Sequence, residues 1–445
     1  MMDRYLEKRN HWRFGCMLGL LLLMVMFRYS LQIDLPRVFF LAVIGLIVLW
    51  GDQDEIVAMI ICCIPLHESI DFFYALVICT VVYVFKFYRQ IRIGANVILV
   101  LLMIVWELLH CFYNNFSIMI FITKIIPFLV LAVMMASDVE KLDYQFIVRM
   151  FAWVTLAVSI TLFVKVLYFS GFNIPLAIAG LQRLGLDEHS SIENVKVAGG
   201  QINPNTLGIV TVLASSGLMQ IRSTGHGRKS DLVLMCVMIV FAALGTSRTY
   251  LACLILMVAL FICSEQGGIV KKVKSFGVLL ALVVVAVLVM AILFPDSFVF
   301  YVSRFSDSDI TTGRDTLMTL YHEFIVKNSN VLLFGIGLQD YGDRLIHFYR
   351  VADNVPHNSI QELIIAWGIP GLIFFVALFL SMYFVASRRN NKCSLMNFIP
   401  LIIIVFKGMA GQMLNSAYTM LAFSYAYLSL CADMARTSEG NQRYI

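Results

Sequence analysis

Long apolar stretches recur from one end of the chain to the other, and they dictate what it can fold into. About fourteen can be marked on the requirement of roughly 20 apolar residues per bilayer crossing. They lie at 14–33, 36–51, 55–65, 72–88, 94–110, 117–136, 146–168, 204–221, 232–247, 249–264, 274–294, 369–386, 395–411 and 415–432. The third is too short to cross alone. The pattern predicts an all-α, polytopic transmembrane helix bundle of about 12–14 spans. Composition agrees: 60% of residues are hydrophobic and only 14% charged, with a mean hydropathy of +0.85, far from a soluble domain. Met1 to Arg13 runs into the first stretch without a small-residue cleavage site, so that span is expected to be retained.

Arginine and lysine in short loops tend to stay in the cytoplasm. With the amino terminus inside, the count places Arg89 and Arg92, Arg222/Arg228/Lys229, Lys271/Lys272/Lys274, Arg388/Arg389/Lys392 and Arg436 inside as well. Both termini are then cytoplasmic, and two long polar segments, 169–203 and 295–368, lie outside. This divides the chain into an amino-terminal bundle (1–168), a core that includes the large loop 295–368 (169–386), and carboxy-terminal spans with a tail (387–445).

Several function classes fall away. The net charge of +5 follows the topology and gives no reason to expect nucleic acid as a partner. Most of the ten cysteines lie in or beside apolar stretches, where they read as small packing residues. Cys62-Cys63 has no partner pair at zinc-ligand spacing, so neither a metal nor another cofactor is expected. The acidic turn Asp52-Gln-Asp-Glu55 reads as a solvated inner loop.

The polar residues that burial does not explain fall in four places. Asn203 reads as the N-cap of a helix with Pro204 at its first position, and helix starts offer N–H groups to anions. An ordinary cap on an ordinary span competes with that reading. Arg248, in Leu244-Gly-Thr-Ser-Arg-Thr-Tyr-Leu251, breaks the charge bias in a short outer turn. Its planar fork suits a phosphate, with snorkelling to headgroups as the competing account. Residues 311–327 look like a capped amphipathic helix with Leu317, Leu320, Phe324 and Ile325 as its apolar stripe. Arg314 in the first turn is electrostatically misplaced unless an anion or carboxylate compensates it. Arg304, Arg344 and Arg350 read as solvated or headgroup contacts.

The fourth place is the segment around His357. Ser359 and Glu362 have capping-box spacing, which gives Glu362 a structural task. His357 has no such task, and an imidazole with an ordinary pKa of about 6.5 suits proton transfer near neutral pH. Trp367-Gly368 ends a short helix and Pro370 restarts the chain, forming an elbow. Lys124, Lys165, Lys407, Glu107 and His110 lie in or near spans, where an ionisable group marks a site by default unless it snorkels or pairs. His67-Glu68-Ser-Ile-Asp71 is a weak acidic turn without a second acidic cluster.

Four motifs in order, Asn203-Pro-Asn-Thr-Leu-Gly208, Thr246-Ser-Arg-Thr249, Thr312-Gly-Arg-Asp315 with Leu333-Phe-Gly-Ile-Gly337, and His357-Asn-Ser359 with Trp367-Gly-Ile-Pro-Gly371, resemble those of the O-antigen polymerase and O-antigen ligase superfamily. The resemblance to these Wzy/WaaL-like membrane proteins covers about residues 199–386, and it implies a GT-C-like bundle in the bacterial cytoplasmic membrane. It further implies transfer of a glycan from undecaprenyl diphosphate to an acceptor glycan outside that membrane, for a surface polysaccharide of lipopolysaccharide or capsule type. Arg248 and Arg314 would bind the diphosphate and His357 would stand at the reacting centre. Asn203, Asn205, Ser247, Asn358 and Glu362 would line the substrate site. Besides the bilayer, a chain-length regulator and a flippase become candidate partners. A polymerase, which moves the growing chain to a lipid-linked repeat unit, is the leading expectation. A ligase, which moves the finished chain to lipid A-core or another terminal acceptor, is the alternative. A polysaccharide-lipid flippase or transporter is a third reading, weakened by the lack of an internal repeat.

Overall fold

The computed structural model describes residues 11–264 apart from 68, 115–116, 175–176, 178–203 and 246, isolated positions between 277 and 302, residues 313–389 apart from 340, and residues 395–431 apart from 410, 412 and 415. The helices used below are α1 (Trp12–Tyr29), α2 (Arg37–Trp50), α3 (Gln53–Leu66), α4 (Phe72–Phe87), α5 (Ala95–Tyr113), α6 (Ile118–Ala136), α7 (Tyr144–Phe169), α8 (Pro204–Ser223), α9 (Lys229–Leu244), α10 (Arg248–Ser264), α11 (Arg314–Lys327), α12 (Ser329–Leu333), α13 (Ser359–Arg389), α14 (Leu395–Gly408) and α15 (Ala417–Cys431). The protein is an all-α, polytopic membrane protein. Among the described residues, six helices are long and apolar enough to cross a bilayer, namely α1, α5, α6 and α7, together with Phe72–Gln90 and Ser359–Arg388.

The apolar stretches at 36–51, 249–264 and 395–411 fold as shorter helices, α2, α10 and α14. In α2, Pro36 sets the start and extended backbone at Gly51 the end, which leaves 14 residues. At 1.5 Å per residue these span about 21 Å, against a hydrocarbon core of about 30 Å. The stretch expected at 274–294 falls largely outside the described residues.

The chain divides into two compact units. Unit 1 comprises Met1–Ile91, Asp138–Ser247 and Cys431–Ile445, and unit 2 comprises Arg92–Ser137 and Arg248–Leu430. In unit 1, α3 packs on α7, α4 and α2, while α8 and α9 pack on α7 and on each other. The run Ile56–Leu66 of α3 is wholly buried. Sequence reading placed Asp52–Glu55 in a solvated loop, but these residues build the start of that buried helix. Asp52 Oδ1 accepts the Glu55 N–H at 3.0 Å and Glu55 Oε2 accepts the Asp52 N–H at 3.1 Å, closing a capping box. Asp54, 2% exposed, accepts the Asp143 N–H at 2.9 Å. Asp52, Asp54 and Glu55 thus satisfy backbone donors, and Gln53 donates its side-chain amide to the Tyr83 hydroxyl at 2.9 Å.

Unit 2 turns on a junction between two glycine motifs. Gly335 and Gly368 both have left-handed φ, +81° and +67°, a region that costs a side chain free energy. At each, an added Cβ would strike backbone: Ala366 O at 2.3 Å from position 335, and Leu333 O at 2.5 Å from position 368. The close approach lets the Ile336 N–H donate to Ile365 O at 2.8 Å and the Gly337 N–H to Ala366 O at 2.7 Å. Gly368, with ψ −161°, breaks α13 where the sequence placed an elbow. Glu107 of α5 closes the junction. Its carboxylate accepts the Leu338 N–H at 2.9 Å and the Trp367 indole N–H at 2.6 Å, while the Trp106 indole donates to Trp367 O at 3.1 Å.

Replacing Gly335 with Ala should therefore lower the apparent unfolding temperature in detergent by several degrees, since strain and overpacking each cost about 1–3 kcal/mol. Gly15→Ala and Gly19→Ala, whose added Cβ would meet nothing within 4 Å, should leave it within a degree. Differential scanning fluorimetry checks the contrast.

Candidate functional site

Four helix ends of unit 2 come together. The Ser264 hydroxyl at the end of α10 reaches Met396 Sδ near the start of α14 at 3.8 Å. Further back on α10, Cys253 lies within electrostatic reach of Lys407 near the end of α14. The two helices are therefore antiparallel, and Arg248, the first residue of α10, lies at the end of unit 2 where α14 finishes. The start of α13 meets that end. Ser359 Oγ donates to Gly411 O at 3.1 Å, and a Cβ on Gly408 would come within 2.8 Å of the same hydroxyl.

Helix α11 joins from the other side. The Gln361 side-chain amide donates to Met318 O at 2.6 Å, and the Asn358 amide reaches Met318 Sδ at 3.7 Å. Arg314 begins α11 one turn before Met318, with Gly313 preceding it at a left-handed φ of 76°. His357 is half-buried, directly before Asn358, and Arg314 and Arg248 are half-buried too. The fold therefore gathers Arg248, Arg314, His357, Asn358 and Glu362 at one end of unit 2.

The loop that carries His357 is fastened on both sides. The Tyr321 hydroxyl donates to Asn354 O at 2.6 Å, three residues before the histidine. Burial pushes the Tyr321 phenol up to about 12, so it stays a donor at physiological pH. After the histidine, Asn358 Oδ1 accepts the N–H groups of Ile360 and Gln361 at 2.9 and 3.3 Å. Asn358 is thus the N-cap of α13. This corrects the capping box expected between Ser359 and Glu362, because Ser359 already lies inside the helix and turns its hydroxyl to Gly411. The Glu362 carboxylate, 0% exposed, accepts the Met413 N–H at 2.5 Å and the Leu414 N–H at 3.1 Å. It thereby holds the segment between α14 and α15.

Other expectations also shift. The buried face of α11 is Tyr321 and Ile325, while Leu320 is 40% exposed. Tyr321 displaces the leucine because its hydroxyl has an acceptor in the loop that it covers. Arg344 is not a solvated contact: its guanidinium donates to Ile336 O and lies 3.5 Å from Asn114 Oδ1, which ties it to the glycine junction. Arg350 is exposed, with a left-handed φ of 51°. Arg304, Thr311 and Thr312 lie outside the described residues. So does Asn203. In unit 1, Asn205 Oδ1 accepts the buried Ser247 hydroxyl at 2.5 Å, joining the start of α8 to the turn before Arg248.

Sequence reading singled out neither Tyr321 nor Tyr341, and it gave Lys407 only a general mention. Lys407 Nζ donates to Thr419 Oγ1 at 3.2 Å and sits 5.1 Å from the centre of the Tyr418 ring. Tyr341 is buried, and burial together with the nearby Glu362 carboxylate holds its phenol well above the ordinary value. Tyrosines inside an otherwise polar loop were the available signal. Among the described residues, one group could hold a metal by proximity: His11, Asp52 and Glu55, with ligand atoms within 4.8 Å of one another. Two of the three form the capping box of α3, and His11 Nδ1 lies 2.9 Å from Glu55 Oε1, so the group has a structural account.

Truncating Glu362 to Ala would leave two buried backbone N–H groups without that acceptor, at about 1–3 kcal/mol each. Glu362→Ala should lower stability clearly, whereas Glu362→Gln, which keeps one acceptor oxygen, should lie close to wild type. Parallel unfolding curves in detergent distinguish the two.

No curated protein matches the chain. The family comparison covers all of the sites on α10, α11 and the start of α13, from before Ser247 to beyond Trp367, and it leaves Asn203, Asn205 and Glu107 outside. Residues 232–376 match the O-antigen ligase family model, Wzy_C, and the chain carries a domain of that family.

Proposed function

We propose that the chain transfers a glycan from a polyprenyl diphosphate carrier to an acceptor sugar, with the chemistry at the end of unit 2 that holds Arg248, Arg314 and His357. The observation that carries this reading is the convergence of two arginines at helix starts and one loop histidine inside the stretch that matches the O-antigen ligase family. In the reaction, the bond from the anomeric carbon to the diphosphate oxygen breaks and a bond to the acceptor oxygen forms. The diphosphate leaves with at least two negative charges. Arg248 and Arg314 bind it through their planar forks, helped by the N–H groups of the helix starts. His357 takes the proton of the acceptor hydroxyl. Asn358 and Glu362 hold the loop and the neighbouring backbone that frame the histidine. Asn203, Asn205 and Ser247 remain candidates for contacts with the glycan.

The match to a family described as O-antigen ligase reorders the two transfer readings. Movement of a finished chain to lipid A-core or another terminal acceptor now comes first, ahead of polymerisation. In either case the carrier is undecaprenyl diphosphate and the setting is the bacterial cytoplasmic membrane, with both termini inside and the transfer outside. A flippase and a chain-length regulator are the proposed partners.

At wild-type protein levels, Arg314→Ala and His357→Ala should each cut glycan transfer by about 100-fold or more. Arg314→Lys should fall between, because an ammonium lacks the bidentate fork. Normal transfer in both alanine variants would sink the site. Deleting the gene separates the readings: full-length chains stranded on the lipid carrier mean a ligase, surface glycans of a single repeat mean a polymerase, and repeat units trapped inside mean a flippase.

A further inference from the structure

Lys165 lies one turn before the end of α7, is 2% exposed, and its Nζ has no hydrogen-bond partner among the described residues. A buried ammonium without an acceptor is among the least favourable groups a membrane-embedded fold can carry. Two other cations of unit 1, Arg149 and Lys86, have acceptors. Arg149 meets Asp231 at 3.1 Å and the His226 carbonyl at 3.0 Å, and Lys86 donates to the carbonyls of Val48, Leu49 and Gly51.

The position of Lys165 narrows what could match it. Tyr144 at the start of α7 donates to Gln220 near the end of α8 at 2.5 Å, so the two packed helices are antiparallel. At 1.5 Å per residue, Lys165 stands about 31 Å along from Tyr144 and Asn205 about 22 Å along from Gln220. Lys165 is therefore level with the region just past the start of α8, at the end of unit 1 that holds the Asn205–Ser247 hydrogen bond. Its neighbour Val166 forms a small buried cluster with Ala177, against which Leu244, the last residue of α9, packs. The chain beyond α7 then folds back over this end, with Ala177 returning to Val166. That return needs two left-handed residues in a row, Gly171 at φ 64° and Phe172 at φ 62°, and the Phe172 side chain is 69% exposed. A left-handed phenylalanine is strained.

We infer that Lys165 is an oxyanion-binding residue that takes a phosphate oxygen of a lipid entering unit 1 at the end of α7. The long apolar stem is held by the helix packing and the ammonium waits for its counter-charge. Two sources carry that chemistry: the diphosphate of a polyprenyl carrier, which rests on the glycan-transfer reading, and the headgroup of an anionic phospholipid, which does not.

The test uses the purified full-length chain in a non-ionic maltoside detergent. Binding of farnesyl diphosphate and thermal stabilisation by phosphatidylglycerol are measured for wild type, Lys165→Met and Lys165→Arg. The expected result is at least a tenfold weaker response of Lys165→Met to one probe or both, with Lys165→Arg close to wild type. A deficit with farnesyl diphosphate identifies the carrier-type diphosphate, and one confined to phosphatidylglycerol identifies a phospholipid site. Equal responses of wild type and Lys165→Met to both probes would overturn the inference. If the Met variant does not fold, Lys165→Gln replaces it in the same comparison. A chain that binds a probe through Lys165 yet transfers no glycan would keep this inference and remove the transfer reading.

Discussion

The Glu107 carboxylate sits inside unit 2, where a charge persists only if donors surround it. The Leu338 N–H, directly after the first glycine motif, and the Trp367 indole of the second supply them. Because Gly335 and Gly368 let the backbones touch, the motifs pair through carbonyls and amides without side chains between them. Apolar packing alone would let α13 slide along its neighbours. The directional bonds at Glu107 fix its register, and with it the positions of Asn358 and His357 ahead of its first turn.

From that fixed point the polar end of unit 2 follows. Helix α13 carries Glu362 to the segment before α15 and Ser359 to the end of α14. The antiparallel pairing of α10 with α14 brings Arg248 to the same end, and the contacts of Gln361 with α11 bring Arg314 there. Tyr321 and Asn358 hold the histidine loop on either side. The residues proposed for chemistry are half-buried, while Tyr321, Ser359 and Glu362 behind them are buried. This separation fits a site whose framework is fixed before substrate arrives.

The membrane class, the all-α fold and the break at Gly368 were legible in the sequence, because apolar length and glycine placement are local signals. The four motifs were legible too, and the family match covers three of them. What could not be read was pairing across the chain. Glu107 and Trp367 are 260 positions apart in sequence, and no periodicity announces that they meet. Glu362 shows a second limit: its spacing from Ser359 imitates a capping box, while its carboxylate serves backbone in a distant segment. A third limit is helix length: the apolar stretch 36–51 folds as a helix of 14 residues closed by Pro36 and Gly51.

The most direct measurement is turnover by the purified chain in proteoliposomes, supplied with a labelled glycan on polyprenyl diphosphate and an acceptor glycan. The account predicts free polyprenyl diphosphate released in step with labelled acceptor product. A glycan that crosses the membrane with its bond to the lipid intact, or that stays on its carrier throughout, would contradict it.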